Sequence, residues 1–173
     1  MVAHPWLLLE PELRSRILYP CIALSLIAAL FMGWMSAPLN PGPGRNGIIE
    51  LEFCWLTDCA ALLAEWPSPE IALPGLYADF VFLVVYGGVI SLACVAAMDH
   101  LSKPMARLGL PVAWLVIVAA MCDAVENVAL IRLVGGASGP EAAVSFIFAT
   151  VKFLLVGLGL IYSAAGAVMY LRR

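Results

Sequence analysis

Four stretches of this chain are apolar for long enough to cross a lipid bilayer, and that property limits what it can fold into. They are residues 17–35, which carry no charge, 72–98, interrupted only by Asp79, 110–134, and 142–171, interrupted only by Lys152. A hydrocarbon core about 30 Å thick needs about 20 such residues per helix. Lipid offers backbone N–H and C=O groups nothing to bond, so a spanning segment must satisfy them internally, as a helix does. Composition points the same way: 64% of residues are hydrophobic and 12% charged, with mean hydropathy +1.00, against roughly 45–50% and 25% in soluble domains. The expectation is an all-α membrane protein, one transmembrane domain over residues 1–173 built as a four-helix bundle. Apart from residues 36–71 the connections are short, which predicts up-down-up-down neighbours.

Orientation is read from the basic residues, which stay on the cytoplasmic side. Arg14, Arg16, Lys103, Arg107, Arg172 and Arg173, six of the nine Lys and Arg residues, fall on one side if both termini are inside. This predicts an N-in, C-in topology with 36–71 as the outer loop. Arg132, close to a span boundary, is expected to snorkel to the outer headgroups. Residues 17–35 exceed the usual apolar length of a cleaved signal peptide and follow a long lead, so they are read as a span. The lead, HPWLLLEPELRSR, reads as an interfacial segment with Trp6 and Leu7–Leu9 dipping into the headgroup boundary.

The outer loop begins with SAPLNPGPGRNG, rich in Pro and Gly and read as irregular chain. In IIELEFCWL the apolar residues Ile49, Leu51, Phe53 and Trp55 alternate with Glu50, Glu52 and Cys54, a pattern that predicts a short half-buried strand. Thr57 is then placed to cap a brief helix through about Trp66. Together these predict a flap, either a connector with an apolar underside or a lid. Cys54 and Cys59 lie within it, where an oxidising compartment would permit a disulfide. Cys21, Cys94 and Cys122 sit in spans and read as small apolar residues. The glycines of the second and fourth spans, among them Gly87, Gly88, Gly157, Gly159 and Gly166, read as surfaces for close helix contact.

Within MCDAVENVALIRL, Asp123, Glu126 and Asn127 stand at i, i+3 and i+4, one face of a helix. Counting 1.5 Å per residue from the outer boundary places them about 16, 12 and 10 Å deep, with Lys152 at about 15 Å and Asp79 at about 10 Å. Five polar groups therefore share one layer in the outer half of the bilayer. Tyr86, seven residues from Asp79 and on its face, is a hydrogen-bond donor for that layer or a plain aromatic. Charges at such depth are costly and should face the bundle interior and pair. Three carboxyls against one ammonium leave surplus negative charge. Either some carboxyls stay protonated, or a cation or water-filled cavity compensates.

Three readings of this layer are open: a polar clamp between helices, a site for a ligand, ion or proton, and an acid–base pair of an enzyme. The favoured role is a non-catalytic binding module or a subunit of a membrane complex. The alternative is an intramembrane enzyme acting on a lipid or apolar small molecule, and the second alternative is ion or proton transport. Partners in keeping with this are the bilayer itself, other membrane subunits or further copies, and a lipid or small apolar ligand. His4 and His100 lie outside the spans, so neither a haem nor a histidine metal centre is expected, and no cofactor is called for. With no glycine-rich phosphate loop and no basic patch, a nucleic-acid partner is not expected either. The surroundings of Asp79 (YADFVF) and Asp123 (MCDAVEN) do not match intramembrane aspartyl proteases.

YADFVFLVVYG, CDAVENVALIRL and VKFLLVGLGLIY together resemble a group of small bacterial four-span membrane proteins of unassigned function, with Asp, D-x-x-E-N and Lys-Phe at corresponding places. The resemblance covers roughly residues 45–165. It implies a bacterial inner-membrane location and that Asp79, Asp123, Glu126, Asn127 and Lys152 belong together; it supplies no reaction.

Overall fold

The computed structural model describes residues 4–40, 42, 47–137 and 139–172, so Arg173 of the charge pattern, and most of PGPGRN, lie outside the described residues. Seven α-helices follow one another there: α1 (Pro11–Ser36), α2 (Ile48–Glu52), α3 (Cys59–Ala64), α4 (Leu73–Ala97), α5 (Lys103–Ala106), α6 (Gly109–Val134) and α7 (Glu141–Leu171). α1, α4, α6 and α7 are long and apolar enough to cross a membrane, and the protein is an all-α four-helix bundle. The expected spans lie within these helices to within a residue. α1 alone starts well before its span and takes ELRSR into the helix.

Helix ends follow local chemistry. After α6 the chain turns through Gly136, whose φ of +87° suits glycine. Its N–H bonds to the Leu133 carbonyl and that of Ala137 to Arg132, both at 3.0 Å, so two carbonyls left over at the helix end are satisfied. Pro74 stands in the first turn of α4, where a missing N–H costs nothing.

The chain divides into two compact units: Met1–Leu26, Val84–Ala120 and Lys152–Arg173 form one, Ile27–Leu83 and Met121–Val151 the other. The first has a core of Cys94, Val95, Ala97, Val112, Ala113, Val116 and Tyr162. Glycine makes the helices approach closely there. A Cβ on Gly159 would lie 2.5 Å from Val116 Cγ2, and one on Gly87 3.0 Å from Ala120 Cβ. Gly157 has nothing near it. α1 contrasts with the other spans: it buries only Arg14, and no residue of its most apolar stretch is buried. In the second unit Leu39, Leu51, Cys54, Leu62, Trp66 and Ala72, which lie between α1 and α4, pack with Leu76 of α4 and with Leu130 and Val134 of α6.

The strand expected over residues 49–55 does not form. Residues 48–52 are helical (α2) and Cys54–Leu56 make one 3-10 turn. An isolated strand would have had no neighbour for its backbone groups, whereas a helical turn bonds them locally: Leu51 N–H to Gly47 O and Phe53 N–H to Ile49 O, both 3.3 Å. Helical spacing also sends Leu51 fully inward and leaves Ile49 out. The next helix is capped by Asp58 rather than Thr57. Its Oδ1 accepts from Ala60 N at 2.9 Å and Ala61 N at 3.1 Å, and a carboxylate suits the positive end of a helix. The flap is tied to α7 by Ser145 Oγ donating to the Glu52 carbonyl (3.3 Å) and by Phe146 against Phe53 and Trp55, centroids 5.9 and 5.1 Å apart.

Candidate functional site

α6 separates its faces cleanly. Met121, Val125 and Val128 are exposed, and Asp123, Glu126 and Asn127 turn the opposite way into the protein. Asp123 and Asn127 are each 3% exposed and Glu126 is fully buried. Asn127 Nδ2 donates to Asp79 Oδ2 at 2.6 Å, joining α6 to α4 within one unit. A carboxylate accepts only, so the amide must present its N–H to it, which fixes the Asn127 orientation. The arrangement gathers the Asp123 and Glu126 carboxyls on one face of α6 beside the Asn127–Asp79 bond. It suits a group that brings positive charge or N–H and O–H donors. Among the described residues no three His, Cys, Asp or Glu side chains are grouped to hold a metal ion.

Tyr86 and Lys152 are buried in the other unit. The Lys152 ammonium sits 4.9 Å from the centroid of the Phe153 ring, a cation–π approach beside its own helix. Cys54 and Cys59 are disulfide-bonded, with Cα atoms 4.8 Å apart. The bridge closes a short ring between the Cys54–Leu56 turn and α3, and Cys54 is part of the flap core. Breaking it with Cys54→Ser is expected to lower stability by about 2 kcal/mol, the chain-entropy value for so small a ring; thermal unfolding with and without reductant measures it.

Arg132, expected to reach for headgroups, has a carboxylate partner. Its guanidinium meets Glu141 Oε1 at 3.0 Å across the turn from α6 to α7, and the Glu141 side chain is buried while Arg132 stays exposed. The lead segment holds a buried group that the sequence did not point to. Leu7 and Leu8 are exposed, but His4 is only 2% exposed, with its Nε2 3.0 Å from Ser91 Oγ and its ring edge-on to Trp114 at 4.8 Å. Nothing in the local sequence marks His4 for burial. Ser91, a hydroxyl inside an apolar span, was the available signal. Arg14, counted for orientation, reaches Asp99 at 3.8 Å.

Known protein families, curated proteins and solved structures yield no match to this chain. The resemblance to small bacterial four-span proteins therefore gains support only for the spans themselves.

Proposed function

We propose that this chain is a non-catalytic binding module of a membrane. Asp79, Asp123, Glu126 and Asn127 receive a group that carries positive charge or donates hydrogen bonds. Such a group belongs to a lipid or small apolar molecule with a polar end, or to a neighbouring membrane subunit. The observation that carries this reading is the burial of three polar side chains on one face of α6, in helices otherwise almost wholly apolar. Buried intramembrane carboxyls cost several kcal/mol and are kept where they serve an interaction. The Asn127–Asp79 bond favours a second reading, a clamp that sets helix register. A bacterial inner-membrane location with both termini cytoplasmic belongs to the same proposal, supported by the resemblance and by the clustering of basic residues.

Neutral isosteres separate the two readings. Thermal unfolding in detergent of Asp123→Asn and Glu126→Gln beside the wild type is expected to show a raised midpoint for at least one of them, because a receptive site stores charge that folding does not use. If each isostere lowers the midpoint, the charges hold the fold together and the clamp replaces the binding module.

A further inference from the structure

Residues 4–26 are held to the rest of their unit through a few groups ahead of and at the start of α1. Trp6 packs on the core that contains Cys94, Val95 and Val112. Arg14 is the one buried side chain of α1 and meets Asp99. His4 goes deepest. Its Nδ1 accepts the Trp6 backbone N–H (3.4 Å), capping the 3-10 turn Pro5–Leu8, while Nε2 faces Ser91 Oγ. With Nδ1 accepting, the ring proton of the neutral form is on Nε2 and is donated to the Ser91 hydroxyl. That tautomer cannot take a proton from Ser91, so the pair is not a nucleophilic dyad.

We propose that His4 is a proton-operated latch: neutral, it seats residues 4–9 against α4 and α6, and protonated, it releases them. Protonation puts a hydrogen on Nδ1, where the Trp6 N–H already points, and turns the cap into donor against donor. It also adds charge to a site whose neighbours are neutral: Ser91 from α4, Trp114 from α6, Trp6 from its own turn. Other titratable groups stand on these elements and beside them. Cys94 of α4 turns to the Gly159 carbonyl and Ser163, both 3.4 Å away, and Tyr86 is buried five residues before Ser91. Asp99 and Arg14 meet each other, and Glu10 and Glu12 are exposed. Between Gly109 and Met121 α6 has no titratable side chain.

Burial holds the His4 pKa below its ordinary value. A histidine with a depressed folded pKa contributes its docking fully above the unfolded value of about 6.5, and the contribution is lost as pH falls below that toward the folded value. Hydrogen exchange on the full chain in detergent tests this at about pH 7.5 and about pH 5, on either side of the ordinary histidine range. The reporters are the amides of Leu7 and Leu9, which bond to the carbonyls of His4 (2.9 Å) and Trp6 (3.4 Å). Their protection factors, corrected for the intrinsic rate at each pH, are expected to drop by about tenfold or more at the lower pH. His4→Gln, which does not titrate, is expected to lose the pH step whether its segment stays docked or not. Equal wild-type protection at both pH values, or a wild-type step retained in His4→Gln, would overturn the latch.

Discussion

Gly166→Leu is expected to unfold or severely destabilise the bundle, by more than about 3 kcal/mol, the upper end for overpacking a well-filled core. Gly166 lies on α7 against Ala97 at the end of α4. Even a single methyl there would run into the Ala97 Cβ and come within 2.8 Å of its Cα. One of the obstructing atoms is backbone, so no rotamer change relieves the clash and the helices must part. Parting them strips contacts from the neighbouring core of Ala97, Val95 and Tyr162, and small residues at such crossings are what let membrane helices pack without a hydrophobic driving force. Gly166→Ala should already cost about 1–3 kcal/mol. Gly157→Ala is the control, since a Cβ there meets nothing within 4 Å, and a helical Gly→Ala change should be neutral or gain up to about 1 kcal/mol. Thermal midpoints in detergent decide the matter: equal behaviour of the Gly166 and Gly157 variants would mean that the close crossing does not hold the fold.

The second large effect is expected at Asn127→Leu, with a loss of about 2 kcal/mol or more. The Asn127–Asp79 bond is 2.6 Å long, and its donor residue is almost entirely buried. Leucine keeps the volume but leaves the half-buried Asp79 carboxyl without that donor, and an acceptor stripped in a poorly solvated place costs about 1–3 kcal/mol. Asp79→Leu alone strands the amide and should cost a similar amount. The double variant removes both partners, so its loss should fall short of the sum of the single losses by about 1–2 kcal/mol, near the upper range for polar pairs between membrane helices. Additive losses in this cycle would show that the two side chains do not act together.

The two experiments probe features that differ in how far they can be read in advance. The spans were legible residue by residue, because bilayer thickness and the need to bond every backbone group turn apolar run length into helix length. The inward turn of Asp123, Glu126 and Asn127 was legible too, since three polar residues at i, i+3 and i+4 share a face and lipid repels that face. Gly159 and Gly166 stood out as small residues in a span, but so did Gly157, and only the crossing of helices distinguishes the three.

Outside the spans the local pattern misled. The alternation from Ile49 to Trp55 looks like a strand, yet with no partner strand the chain bonds to itself as helical turns, and the buried set is chosen by the face that meets Leu76, Leu130 and Val134. Asp58 outcompetes Thr57 as a cap because both its helix donors lie within reach. The sequence by itself determined the number, length and inward polarity of the membrane helices, properties set one helix at a time by the solvent around it. Tertiary structure alone decided that Asn127 takes Asp79, that Arg132 takes Glu141, and that His4 is buried against Ser91 and Trp114. These pairings depend on how helices rotate and cross, a choice made by packing over residues far apart in the chain.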